Sequence, residues 1–150
     1  MRRSERKQAE PDLGILASWL LLSVQQELGE TMEQEGFAPL GPRYGAVLAY
    51  LDEEGTRATE LAQLSGQHKQ VVGTLIDELV AMDCVERQPD PQDRRAKLIV
   101  PTAHGLERMR RSDAIMAAIE ERHARLIGKS AYAEFKQAFK RIAEAQRDRR

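Results

Sequence analysis

The chain has a single cysteine, Cys84, so no disulfide can form within it and a multi-cysteine zinc site is excluded. Aromatic residues are scarce, at 5% of the sequence. No apolar run approaches the roughly 18 residues needed to cross a bilayer. The longest patch, residues 15–24, is interrupted by Ser18 and Ser23. The N-terminal residues MRRSERKQAEPD are charged and carry neither the apolar segment nor the small-residue cleavage site of a signal peptide, so a cytoplasmic chain with no membrane partner is expected. Net charge is −1, which supplies no global attraction to a polyanion. Internal repeats and low-complexity segments are absent as well.

What is present points to a helical protein. The 41% hydrophobic and 31% charged composition suits a soluble globular chain, and 150 residues suffice for one domain with a proper core. Ala, Leu, Glu, Gln and Arg predominate over aromatic and β-branched residues, which favours helix. Basic residues gather late: residues 101–150 hold 12 Lys and Arg against 7 Asp and Glu, whereas residues 67–100 hold 5 against 6. Any phosphate-binding surface in the middle of the chain must therefore arise from which charges face outward together.

Residues 1–11 are polar and are expected to be flexible. From Asp12, a candidate N-cap, a helical apolar period runs to about residue 35 through Leu13, Leu16, Leu20, Val24 and Leu28, broadened by Trp19 and Leu21. A loop rich in Gly and Pro follows over residues 36–42, then a short helix over residues 43–53 with Tyr44, Val47, Leu48 and Leu51 inward. Thr59 is placed to cap a helix over residues 60–65, with Leu61, Ala62 and Leu64 as its buried side, and Gly66 ends it in a tight turn.

The stretch from Gly66 to Thr102 organises the rest. An amphipathic helix over residues 68–82 buries Val72, Leu75, Ile76, Leu79 and Met82, and turns Gln70, Gly73, Thr74 and Asp77 outward, with Gln67, His68 and Lys69 at its start. Two short helices around a glycine turn make a helix-turn-helix. Strands over residues 85–88 and 96–100 follow, joined by the polar turn PDPQDRR, which forms a β wing with Arg94 and Arg95 at its far end. Thr102 then caps a helix over residues 103–126, Gly128 breaks it, and Ser130 is placed to cap a last helix bearing Tyr132, Phe135, Phe139 and Ile142. The expected fold is mainly α with a small β wing: a winged helix-turn-helix at residues 42–101 inside a single unit spanning 12–150. Long apolar stripes at 12–35 and 102–147 act as dimerisation helices, because one small winged domain cannot cover them.

The segments ELA at 60–62, Gly66, KQ at 69–70, LID at 75–77 with Leu79, VER at 85–87, PDPQDRRAK at 89–97 and T-x-x-G at 102–105 stand in an order and spacing that resembles the MarR family of winged helix-turn-helix transcription regulators. The surrounding helix order fits that family over nearly the whole chain. The resemblance implies a homodimer that presents two recognition helices to successive major grooves and two wings to the adjacent minor grooves. It also implies that Arg95 of the Asp-x-Arg wing motif enters the minor groove while Asp93 braces it. Thr74 stands where the family commonly has arginine, Val71 where it has serine or threonine, Gly73 where it has threonine, Asp83-Cys84 where it has Gly-Leu, and Pro101 where it has leucine.

The expected DNA-binding residues are Gln67, His68, Lys69, Gln70, Thr74, Arg94, Arg95 and Lys97, with Asp93 as the wing brace. Arginine at a turn tip suits phosphate or an electronegative minor groove, while the alternative is a solvated hairpin salt-bridged through Asp90 and Asp93. Lys69, Gln70 and Thr74 suit a phosphate, a purine edge and a thymine methyl or phosphate. Cys84 reads as a small buried hydrophobe; His68, His104 and His123 lack ligand spacing, so no metal and no cofactor are expected. Trp19 is a candidate for core, interface or an effector pocket. No nucleophile elbow, phosphate loop, HExxH or acid/base carboxylate pair occurs, so an enzyme is not expected. The resulting expectation is a sequence-specific duplex DNA-binding regulator, a repressor released from a pseudo-palindromic operator by a small-molecule effector. The alternative is a dimeric DNA- or protein-interaction module with little sequence specificity.

Overall fold

The six predicted helices, joined by one that the sequence does not signal, make seven α-helices, and the wing becomes part of a three-stranded antiparallel sheet, in a computed structural model that describes residues 1–150. The chain forms two compact units, Met1–Asp113 and Ala114–Arg150, with the boundary inside a long helix.

In the first unit, residues 1–11 contain a regular element that the sequence reading did not place: α1, Arg3–Ala9. Its start is closed by Glu5, whose carboxylate accepts from the Arg2 N–H at 2.7 Å, and Lys7 pairs with Asp12; none of its residues is buried. Helix α2, Leu13–Gln34, begins where expected, with the Asp12 carboxylate accepting from the Ile15 N–H at 3.1 Å. Met32 is its one buried residue. A 3-10 turn at Pro42–Tyr44 and the single-turn α3, Gly45–Leu48, replace the longer helix expected over 43–53. Beyond Leu48 the chain bends so that Leu51 stays buried and the Asp52 N–H donates to Thr56 Oγ1 at 3.0 Å.

Strand β1, Thr56–Arg57, leads into α4, Ala58–Ser65. Arg57, held extended by pairing with Leu98, occupies the N-cap position, so Thr59 falls inside the helix and does not cap it. Leu61 and Ala62 are buried, while Leu64, near the open end of this two-turn helix, is exposed. Gly66 has φ 73°, a left-handed conformation that glycine adopts without strain, and its N–H donates to Ala62 O at 3.0 Å. Helix α5, Lys69–Ala81, buries Val72, Leu75, Ile76 and Leu79, each worth about 1.5–3 kcal/mol of apolar transfer. Met82, expected inside, lies past the helix end and is exposed.

Strands β2, Val85–Pro89, and β3, Lys97–Pro101, form the wing hairpin in register Val85↔Pro101 to Pro89↔Lys97, and β3 is central in the order β1-β3-β2. One core gathers Val47 and Leu51, Leu61 of α4, the buried face of α5, and Val85 and Ile99 of the sheet. Cys84, 2% exposed, belongs to that core; burial pushes its thiol up, partly opposed by the Arg108 guanidinium, so it stays a protonated small hydrophobe.

Helix α6, Ala103–Ile127, starts against the α5–β2 corner. Thr102 donates its N–H to Cys84 O at 3.0 Å and its hydroxyl to Asp83 O at 2.6 Å, and its Oγ1 accepts the Gly105 N–H at 3.0 Å. A Cβ on Gly105 would lie 1.8 Å from Cys84 O. The T-x-x-G spacing therefore has a steric cause: the threonine ties the corner and the glycine lets α6 approach it. Asp83 sits at φ 57° in the same corner.

The second unit comprises the rest of α6 and α7, Lys129–Arg147. Gly128 at φ 95° is the N-cap of α7, and Ser130 lies within the helix, not at the capping position expected for it. Tyr132 donates its hydroxyl to Glu120 at 2.6 Å and Lys136 pairs with the same carboxylate; burial, then Glu120, pushes the phenol up to about 12. Phe135 and Phe139 stack at 5.6 Å and, with Ile142, stay exposed; no residue of α7 is buried.

The α5–β2 corner predicts opposite signs for two substitutions, read as urea midpoints at fixed protein concentration. Gly105→Ala should destabilise by about 3 kcal/mol or more, since backbone must move to admit the methyl. Asp83→Gly should stabilise by about 0.5–1 kcal/mol by relieving the left-handed backbone.

Candidate nucleic-acid interface

The exposed face of α5 follows from its buried one. With Val72, Leu75, Ile76 and Leu79 packed inward, the helical period turns Gln70, Val71, Thr74 and Asp77 to solvent. Gln67 and His68 precede the helix, His68 in the N-cap position with extended backbone, and Lys69 is its first residue; all three are exposed. Thr74 donates its hydroxyl to Gln70 O at 3.1 Å.

The second group of expected contacts lies on the wing. Asp90 N–H donates to Ala96 O at 3.1 Å and Ala96 N–H to Asp93 O at 2.9 Å, which closes the turn and leaves Arg94 and Arg95 at the tip. Asp93 Oδ1 accepts from the Arg95 N–H at 3.1 Å and from its Nε at 3.3 Å, while the Arg95 side chain remains 93% exposed. The aspartate thus aims the arginine without covering it. Lys97 is exposed at the start of β3.

The small acidic excess of residues 67–100, 5 Lys and Arg against 6 Asp and Glu, resolves in space. Asp77 is held by Arg87 of β2, Glu78 by Arg43 and the Tyr44 hydroxyl, Asp90 by Arg57, and Asp93 by Arg95. Lys69, Arg94 and Lys97 have no carboxylate partner. Four of the nearby acids are thereby neutralised locally, and the cations they leave unpaired are those expected to meet phosphate.

Three groups escaped the sequence reading. Asp90, treated there as a possible surface partner, is buried: its carboxylate accepts from Arg57 Nε at 2.7 Å and from the Gln92 N–H at 2.9 Å, tying the wing base to the start of α4. The Asp-Pro-Gln turn signalled the local bond; nothing signalled a partner 33 residues away. Arg108, 6% exposed, donates to Ala38 O and lies 5.5 Å over the Phe37 ring, which anchors the α2–α3 loop to α6. Arg110 and Arg111 grip Glu53 and Glu35 beside it. In the sequence these arginines stand out only as part of the late basic excess. Trp19, by contrast, is 52% exposed and is not core within the chain; α2 leaves most of its apolar face open.

A sequence model of the MarR family matches residues 39–96, from the loop before α3 to the end of the wing turn. The match takes in the helix-turn-helix and the wing turn, so this winged helix is similar to those of the MarR family. Its helix-turn-helix is α4–α5 and its wing is β2–β3. The chain is similar over 89% of its length to CouR from Rhodococcus jostii RHA1 bound to p-coumaroyl-CoA, covering 92% of that chain at 27% identity and a TM-score of 0.71. The transcriptional repressor CouR bound to a 23-mer DNA duplex aligns over 92% of this chain and 96% of its own at 23% identity, with a TM-score of 0.72. PcaV from Streptomyces coelicolor, in complex with its natural ligand, aligns over 93% and 96% at 24% identity, with a TM-score of 0.67. The last two comparisons bear on fold alone. None of the curated proteins compared matches the sequence. No helix is long and apolar enough to cross a membrane.

Asp90 gives this wing a pH signature. The Gln92 N–H, then Arg57, holds its carboxyl below the usual range. The associated stability is present above the unfolded carboxylate pKa, near 3.9, and is lost as pH falls through the lower folded value. Asp90→Asn should lower the thermal midpoint at pH 7, and the gap from wild type should narrow as pH falls below about 4; a constant gap from pH 7 to pH 2 would refute the assignment.

Proposed function

We propose that this chain is a homodimeric, sequence-specific regulator of transcription that binds duplex DNA, acts as a repressor, and leaves a pseudo-palindromic operator when a small molecule binds. The observation that carries the proposal is the pairing, within one winged unit, of an exposed polar α5 face with a wing tip whose Arg95 is aimed by Asp93 and open to solvent. A helix of this kind fits a major groove, and an arginine so presented fits the minor groove beside it. Gln67, His68, Lys69, Gln70 and Thr74 are the proposed major-groove and phosphate contacts, and Arg94, Arg95 and Lys97 the proposed wing contacts.

The homodimer is supported by what the chain leaves uncovered. Leu13, Leu16, Trp19, Leu20 and Leu21 of α2 and Phe135, Phe139 and Ile142 of α7 are exposed, more apolar surface than a lone chain ordinarily shows water. Effector release is supported by the family and by ligand-bound CouR. In a dimer whose reading heads must fit grooves one turn apart, a small change in their spacing releases the duplex. The protein acts by binding and not by turnover, in the cytoplasm.

One observation favours a less specific module: Gly73 places no side chain on the α5 face, and no arginine stands on it. Selection from a random duplex library at near-physiological salt separates the two. The regulator enriches an inverted repeat with half-sites about one helical turn apart; the module retains duplexes without enrichment. Arg95→Ala and Lys69→Ala should each weaken binding to the enriched duplex by about 1–3 kcal/mol. Unchanged affinity in both would remove this surface as the reader.

A further inference from the structure

We infer that the half-site bases beneath α5 are A·T-rich and are read largely through thymine methyl groups, with Val71 as the specificity-determining residue and Thr74 as its neighbour. The inference rests on the reading of α5 as a major-groove helix and names the sequence class that this particular helix can recognise.

Val71 is the first element. It lies in the first turn of α5, is 44% exposed, and belongs to the outward face with Gln70 and Thr74. On a helical period of about 100° per residue, Gln70, Thr74 and Val71 fall within roughly 100° of arc outside the buried side, Gln70 and Thr74 opposite it and Val71 at its edge next to Leu75. A β-branched apolar residue gains nothing for the helix at an exposed site. In a major groove, the one base feature that an isopropyl group matches is the C5 methyl of thymine.

Thr74 is the second element. Its hydroxyl proton is committed to Gln70 O at 3.1 Å. Toward a groove it therefore presents a methyl group and an oxygen that can only accept. Guanine offers only acceptors, N7 and O6, on its major-groove edge, so Thr74 has nothing to donate to it. Adenine N6–H and the thymine methyl remain compatible.

The third element is what surrounds them. The outward face carries no arginine, and its carboxylate, Asp77, which would suit cytosine N4–H, is held by Arg87. Lys69 lies well around the helix from Val71, at the edge suited to phosphate. Gln70 supplies one donor and one acceptor, the pattern that pairs with adenine N6 and N7. The face thus carries two methyl-bearing side chains for thymine and an amide whose two-point match is adenine, while the arginine that would grip guanine at two points is absent. The 93%-exposed Arg95 extends the preference outward, since A·T tracts narrow the minor groove and strengthen its negative potential.

The test replaces each thymine of the duplex recovered by selection, one at a time, with deoxyuridine, which deletes only the methyl group. Wild-type protein should lose affinity by about fivefold at one or two positions per half-site. Val71→Ala should show a similar loss on the intact duplex and no further loss from deoxyuridine at the position Val71 touches. Thr74→Val, which keeps the methyl, should bind like wild type, whereas Thr74→Ser, which keeps only the hydroxyl, should bind more weakly. These substitutions are at exposed positions, and a circular-dichroism melt confirms that each variant is folded. A G·C-dominated half-site core, indifference to deoxyuridine throughout, or the reverse order of the two Thr74 variants overturns the inference while leaving specific DNA binding intact. Retention without any enriched sequence overturns both.

Discussion

The corner where the chain leaves α5 and where it later enters α6 is the constraint on which the winged unit depends. Cys84 O receives the Thr102 N–H, Asp83 O receives the Thr102 hydroxyl, and Gly105 passes so close that no side-chain carbon fits. Those contacts fix both ends of the β2–β3 hairpin at one point. A hairpin held at its base can project a polar turn into solvent and still aim it. If α6 stood farther from Cys84, the register from Val85↔Pro101 to Pro89↔Lys97 would lose its anchor.

A second set of ties carries that geometry outward. Arg87 to Asp77 links the wing strand to α5, and Arg57 to Asp90 links the wing base to the start of α4. Exposed ion pairs such as the first contribute little stability. Their consequence is electrostatic: by occupying the acids near the proposed reading surface, they leave Lys69, Arg94 and Lys97 to act as cations. A chain of net charge −1 can therefore still present a locally basic edge. Arg108, Arg110 and Arg111 do similar work elsewhere in the unit, holding the α2–α3 loop, the turn before β1 and the end of α2 from one stretch of α6.

The apolar faces left open on α2 and α7 belong to a different level of organisation. Within α2 only Met32 is buried, and within α7 no residue is. Neither helix has the packing that sustains the α5 core, which is why a second copy of the chain enters the functional proposal. Val71 is exposed because the helical period of α5 places it outside the packed arc of Val72, Leu75, Ile76 and Leu79.

Sequence alone determined the features that arise from neighbours along the chain. The 3.6-residue period fixed the buried face of α5, Asp12 announced the start of α2, Gly66 the left-handed turn after α4, and the Asp-x-Arg spacing a wing in which Asp93 reaches the Arg95 backbone and side chain. Each depends on residues within four positions of one another, so local propensity and hydrogen bonding suffice. Tertiary structure decided what depends on distant partners. Arg57 displaced Thr59 from the cap because β1 must pair with β3. Helix α3 stopped early because Leu51 and Thr56 are held elsewhere. Asp90 became a buried anchor, and Asp77 and Glu78 of α5 were neutralised by partners 10 and 35 positions away. Such contacts leave no periodic trace, since their energy comes from burial and charge pairing that exist only once the chain has closed on itself.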